Sequence, residues 1–199
     1  MASRSGGRRA GRGAGGAVGG AAHPSANKRS LDSTQVTAAD IEARLIGLLA
    51  RREHGRTELI QKLTARGLER ADVARAIDDL AARGLQSDQR FASMMVRQRI
   101  ERGYGALRIR AELTQRGIES SIIDAALAEA GSEADDPVTR ATELLRRRLG
   151  RQVSRAGDSA PGDDPRSRAK WLRFLAQRGF DFATAQQALA RALEDAEDD

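Results

Sequence analysis

The sequence predicts an all-α protein: three tandem three-helix repeats forming an elongated, curved array, preceded by a disordered N-terminal tail. Three observations predict it. Beyond residue 36, apolar residues recur at helical spacing and no stretch alternates as a strand would. One hexapeptide occurs three times at long intervals. Composition also changes sharply near residue 36.

The tail is the simplest part. Residues 1–31 hold Arg4, Arg8, Arg9, Arg12, Lys28 and Arg29 without a single acid, so the whole +6 net charge of the 199-residue chain lies there. Only Val18 and Leu31 are large aliphatics, too little to bury against the entropy of ordering the chain. Gly11-Arg12-Gly13-Ala14-Gly15-Gly16 spells a dinucleotide-type glycine pattern, but no strand precedes it and no helix follows. The tail has no apolar core for a secretory signal and no amphipathic face for a transit peptide. No window approaches the roughly 18 apolar residues of a membrane span. A cytoplasmic, monomeric protein with a basic arm is expected, the arm either touching nucleic acid loosely or serving solubility.

The helices follow from punctuation. Apolar periodicity runs through Ile41/Leu45/Leu48/Leu49, Val73/Ile77/Leu80, Ile122/Ile123/Ala126/Leu127, Leu145/Leu149, Trp171/Leu172/Leu175 and Phe182/Leu189/Leu193. Starts are signalled by Thr37 with Asp40, Ser87-Asp88, Asp136-Pro137 and Asp164-Pro165. Stops are signalled by Gly67, Gly84, Gly103, Gly117, Gly131, Gly150 and Gly179, because glycine tolerates a left-handed terminal conformation. Helices are expected over 37–53, 56–66, 70–83, 88–102, 105–116, 119–130, 137–150, 165–178 and 182–195.

Leu63-Thr64-Ala65-Arg66-Gly67-Leu68, Leu113-Thr114-Gln115-Arg116-Gly117-Ile118 and Leu175-Ala176-Gln177-Arg178-Gly179-Phe180 are one hexapeptide. Eight residues before each glycine stands Leu59, Ile109 or Trp171; ten after stands Ile77, Leu127 or Leu189. The glycines are 50 and then 62 residues apart, the surplus falling in a polar stretch. The organisation is therefore tail 1–36, repeat 1 over 37–86, repeat 2 over 87–131 and repeat 3 over 136–196, with a polar loop near 152–164. Loops around 131–137 and 152–165 read as hinges. Short helices are marginal alone, so stacked units bury more and leave a long surface for a large partner.

Chemistry for catalysis is scarce. The chain has no cysteine and only His23 and His54, which argues against disulfides, thiolate chemistry and zinc. His54 reads as a partly exposed surface residue. Asp78-Asp79 and Asp135-Asp136 are adjacent pairs that point about 100° apart on a helix, so they read as caps and solvated surface. No catalytic triad, P-loop or HExxH spacing occurs. Neither an enzyme nor a cofactor or metal site is expected. Six aromatics are few for a base-stacking platform.

Charge in the body is sorted. Residues 90–116, 140–155 and 166–178 each carry +5, whereas 117–139 is −6, 156–165 is −3 and 181–199 is −5. Such blocks can place a positive band on one face, suited to phosphates or an acidic protein. Candidate contacts are Arg97, Arg99, Arg102, Arg108 and Arg110, which flank Gly103-Tyr104-Gly105, and Arg146, Arg147, Arg148 and Arg151, the densest run. With 31 arginines to 3 lysines, ordinary solvated arginine is the competing reading.

The run Asp88-Gln89-Arg90-Phe91-Ala92, Val96-Arg97-Gln98-Arg99, Arg102-Gly103-Tyr104-Gly105-Ala106-Leu107-Arg108-Ile109-Arg110-Ala111-Glu112-Leu113, closing on Arg116-Gly117-Ile118, resembles the central signature of the RecX regulatory family. Leu48 to His54, Glu58-Leu59 and Lys62-Leu63 are similar to that family's first repeat. Arg173-Phe174-Leu175 with Arg178-Gly179-Phe180 is similar to its last, so the resemblance spans about 40–195. Ala106 stands where the family commonly has proline, and the arm before residue 36 lies outside the family core. The resemblance implies a nonenzymatic modulator of the bacterial recombinase RecA, built from three three-helix repeats, active in recombination, DNA repair and the SOS response. It implies seating in the groove of the RecA filament on single-stranded DNA, mainly inhibiting ATPase, strand exchange, coprotease activity and filament growth. The alternative from the residues themselves is a helical-repeat protein that binds single- or double-stranded DNA directly.

Overall fold

In the computed structural model, residues 36–133, 136–156 and 165–197 are described, and residues 36–199 form one compact unit. The tail over 1–35 lies outside the described residues. Helices are α1 Ala38–Leu49, α2 Arg56–Thr64, α3 Arg70–Ala82, α4 Asp88–Glu101, α5 Ala106–Gln115, α6 Ser120–Glu133, α7 Pro137–Ala156, α8 Pro165–Arg178 and α9 Phe182–Glu197. No strand occurs among the described residues.

The hexapeptide has a local physical cause. In each copy the glycine adopts the left-handed region, with φ of 83° at Gly67, 78° at Gly117 and 88° at Gly179. Its N–H donates to the residue three back, Thr64, Thr114 or Ala176, at 2.9 Å in every case. The next N–H reaches five back: Leu68 to Leu63 at 3.3 Å, Ile118 to Leu113 at 3.1 Å, and Phe180 to Leu175 at 3.1 Å. This is a Schellman ending, in which the first and last residues of the hexapeptide also meet as apolar partners. Leu63, Leu113 and Leu175 are fully buried, and Leu68, Ile118 and Phe180 nearly so. The motif therefore stops the second helix and anchors both ends of the turn in the core.

Each repeat has its own core. Leu45, Leu59, Leu63, Val73, Ile77 and Leu80 fill repeat 1; Phe91, Val96, Ile109, Leu113 and Ile123 fill repeat 2; Leu145, Trp171, Leu175, Ala188 and Leu189 fill repeat 3. The anchors Leu59, Ile109 and Trp171 are all buried as their register predicts. Leu127 is only partly buried, packing against the repeat 2 core from outside.

Three of the four signalled caps appear, the fourth, Asp164, lying outside the described residues. Thr37 and Asp40 form a reciprocal capping box, the Ser87 hydroxyl accepts from the Arg90 N–H at 3.3 Å, and the Asp136 carboxylate accepts from the Thr139 N–H at 3.2 Å. Two expected stops fail. α6 continues through Gly131 and α7 through Gly150, and neither glycine takes a positive φ. A helical glycine costs only about 1 kcal/mol relative to alanine, and Arg151 to Ala156 are adequate helix formers beyond it. Residues 152–156 are accordingly helix rather than polar loop, while 157–164 lie outside the described residues. The first helix ends at Leu49 rather than 53, because residues 50–52 turn before the joint described next.

Candidate functional site

Consecutive repeats meet through the same two parts: the loop ahead of the second helix of one repeat, and the glycine turn after the second helix of the next. Between repeats 1 and 2, a Cβ on Gly55 would stand 3.3 Å from the Phe91 ring, and one on Gly117 would strike Thr57 Oγ1 at 2.5 Å. Across this joint the Arg56 N–H donates to Asp88 Oδ1 at 2.8 Å. Gln86 Nε2 donates to the His54 carbonyl at 3.3 Å and to Asp88 Oδ1 at 2.9 Å, and Arg90 Nε pairs with Glu53 at 2.7 Å.

The joint between repeats 2 and 3 is tighter. α4 ends on Gly103, with φ 74°, and the Tyr104 N–H returns to the Arg99 carbonyl at 3.0 Å. Gly105 and Leu107 then donate their N–H groups to the carbonyls of Arg178 and Gly179, at 2.8 and 3.0 Å. A Cβ on Gly105 would come within 2.5 Å of the Phe180 nitrogen, and one on Gly179 within 2.9 Å of the Arg108 Cα. Backbone touches backbone here, which only glycine permits.

That contact brings arginines of all three basic blocks together. Arg148 lies over the Phe174 ring at 4.7 Å, and Arg178 lies over Phe174 at 5.5 Å and over Tyr104 at 5.2 Å. Arg108 covers Tyr104 at 5.0 Å. The result is a ladder of cation and ring, Arg148–Phe174–Arg178–Tyr104–Arg108, crossing from α7 through α8 to α5. Guanidinium planes stack favourably on aromatic faces. Arg108 and Arg178 further tie the joint by donating to the Gln177 and Arg102 carbonyls, at 3.2 and 3.1 Å.

The nine candidate arginines therefore divide. Arg108 and Arg148 are in the ladder. Arg99 is partly buried and bonds Glu112 at 2.7 Å, and Arg110 pairs with Asp124, so these two hold α5 against its neighbours. Arg97, Arg102, Arg146 and Arg147 are exposed, Arg147 bonding Glu143 one turn away at 3.2 Å. The Arg151 side chain lies outside the described residues. Tyr104, Phe174 and Arg178 complete the site without having been singled out as contacts; Arg178 stood in the hexapeptide, and the recurrence of His54-Gly55 as Tyr104-Gly105 fifty residues later was the available signal for the joint.

His54 corrects its surface reading. It is 2% exposed. Its Nδ1 lies 3.0 Å from the Arg52 carbonyl, so Nδ1 carries the proton, and Nε2 accepts from Lys62 Nζ at 3.2 Å. Burial foremost, with Arg52 and Lys62 nearby, holds its pKa below the ordinary value. Burial pushes the Glu58 carboxyl up, but hydrogen bonds from Arg52 and Lys62 outweigh it and hold that group low. For the histidine, the unfolded chain binds the proton more readily. Stability should be full above the unfolded value of 6.5 and decline as pH falls below it. The glutamate contribution is present above its unfolded value of 4.5 and is lost as pH falls through its lower folded pKa. Thermal melts between pH 7.5 and 5.5 should show a drop that His54→Gln reduces; equal drops in both proteins would show that His54 is not responsible.

Among the described residues no group of three or more potential ligands could hold a metal ion, and no helix is long and apolar enough to cross a membrane. Comparison with known proteins follows the repeats. Residues 43–80 match the family model "RecX, first three-helix domain" and residues 87–127 match "RecX, second three-helix domain". The chain is 47% identical over 149 residues to a protein of Chromohalobacter salexigens named Regulatory protein RecX, covering 75% of this chain and 90% of that one. It is 41% identical over 172 residues to the Regulatory protein RecX of Xanthomonas axonopodis pv. citri, covering 86% and 96%. The crystal structure of RecX from Lactobacillus salivarius shares the fold at a TM-score of 0.64 with 19% identity, over 78% of this chain and 96% of that one. A second RecX crystal structure aligns at a TM-score of 0.62 with 23% identity, over 75% and 70%. The three cores, the two joints and these matches agree: the chain belongs to the RecX family of regulatory proteins, which implies a regulator of RecA.

Proposed function

We propose that this protein regulates the recombinase by seating its repeats 2 and 3 on the filament that RecA forms on single-stranded DNA, in the cytoplasm. There it restrains ATPase, strand exchange and coprotease activity without catalysing a reaction. The supporting observation is the ladder: the joint draws Arg108, Arg178 and Arg148 from three helices onto two rings, with exposed Arg146 and Arg147 immediately before Arg148 on α7. Preordered guanidinium groups suit carboxylates or phosphates, since little further side-chain freedom is lost on binding.

The test is recombinase ATPase on single-stranded DNA with this chain added, full length and truncated before residue 37. The full chain should inhibit at substoichiometric ratios, and absence of inhibition up to equimolar would sink the reading. Equal inhibition by both forms would make the arm dispensable.

Charge reversal at Arg146, Arg147 and Arg148 should weaken filament engagement about tenfold or more, corresponding to about 1.4 kcal/mol, with helicity unchanged. Undiminished binding at moderate salt would reduce that run to solvated surface. Direct DNA binding, the second reading, is favoured by the acid-free arm. Its affinity for bare DNA should fall steeply with salt, whereas filament engagement should keep a component that bare DNA lacks.

A further inference from the structure

Among the described residues, Val36, Ile46, Leu85, Leu107 and Phe182 are large apolar side chains left exposed. Two of them share one joint. Leu107 donates its N–H to the Gly179 carbonyl, and Phe182 follows Gly179 by three residues as the first residue of α9. Phe182 is 66% exposed and Leu107 55%. Neither helix start is capped by these side chains. α9 is capped by Asp181, which accepts from the Thr184 N–H at 2.9 Å and its hydroxyl at 2.7 Å. α5 is seated by the backbone bonds of Gly105 and Leu107. The other joint differs: Thr57, at the position of Leu107, packs against Gly117, and the counterparts of Phe182 are Ser120 and Arg70. The apolar pair is thus particular to the joint that also carries the cation–ring ladder.

We propose that this rim is a protein-docking surface, at which Leu107 and Phe182 enter an apolar depression bordered by carboxylates on the partner, with Arg108, Arg148 and Arg178 alongside. Aromatic anchors beside arginine are the composition of interface hot spots. The chemistry favours protein over nucleic acid. Leucine offers no ring to stack on a base, and Asp181 next to Phe182 repels phosphate. The identity of the partner as the recombinase filament rests on the function proposed above.

The experiment uses the full chain, labelled through a single cysteine at exposed Gln187, since the chain has none of its own. Fluorescence anisotropy would follow binding to assembled filament and, separately, to bare single-stranded DNA, at low and moderate salt. The double variant Leu107→Ser/Phe182→Ser should keep its melting temperature and lose filament affinity at least about tenfold at moderate salt, where charge is screened. Parental affinity in the double variant overturns the docking surface while leaving the regulator reading standing. A loss confined to bare DNA also overturns it, because Phe182 would then be stacking on bases. A parent chain that does not bind the filament overturns both. Should the double variant lose helicity, Phe182→Ala alone, which only removes a ring from solvent, decides by the same criterion.

Discussion

Alanine in place of Gly179 should destabilise the repeat array by about 3–4 kcal/mol, against about 1 kcal/mol for the same change at Gly67. Both glycines have the same left-handed φ, so both variants bear the same strain from an L side chain. They differ in space. Nothing lies within 4 Å of a Cβ on Gly67, while one on Gly179 runs into the Arg108 backbone. Gly105 isolates the other contribution. Its φ of −86° suits any residue, yet its Cβ would collide with the Gly179–Phe180 peptide. Gly105→Ala should therefore cost about 2–3 kcal/mol, from overpacking and loss of the two backbone hydrogen bonds at the seat. Urea unfolding followed by far-ultraviolet circular dichroism measures all three. Equal costs at Gly67 and Gly179 would mean that repeat 3 is not rigidly seated.

Leu113→Ala should cost about 3–5 kcal/mol, near the upper range for a fully buried leucine. Leu113 closes the Schellman turn of repeat 2 and sits at the centre of its core, so its loss leaves a cavity that the turn cannot collapse into. Repeat 2 also holds both joints. Weakening it should lower the unfolding midpoint of repeat 3 as well, although no atom of repeat 3 changes. Trp171, the single tryptophan, is buried in repeat 3 and reports that event. Its fluorescence transition should shift to lower urea together with the circular dichroism transition. An unmoved Trp171 transition would mean that the repeats unfold independently.

Much of this fold is legible in the sequence because its signals are local. The hexapeptide is a complete helix-ending device, readable from six residues, and Thr37/Asp40 and Ser87 are complete starting devices. Gly131 and Gly150 misled because a glycine near a helix end and a glycine within a helix look alike in sequence, and the difference of about 1 kcal/mol is overridden by packing. The site was half legible. Sorted charge located the arginines, but not that Arg99 and Arg110 are engaged by Glu112 and Asp124, nor that Phe174 and Tyr104, seventy residues apart, share Arg178. The first two relations are set by helix packing inside repeat 2 and the last by the joint, all of them contacts between residues distant in sequence. His54 was misread because its burial depends on how the turn over 50–55 folds back on α2, where Glu58 and Lys62 meet the ring.

The joints also carry a direction. Gly55 and Gly105 immediately precede α2 and α5, but Asp164 immediately precedes α8, and a side chain at that position would not fit a seat like the one Gly105 occupies. By sequence, repeat 3 therefore carries no glycine at the position that seats the following unit in the two joints. The twelve surplus residues that separate the last two hexapeptide glycines by 62 positions instead of 50 fall ahead of that position. Insertions should be harmless in the α7–α8 connection. A single residue added between 101 and 107 would shift Gly105 and undo the seat.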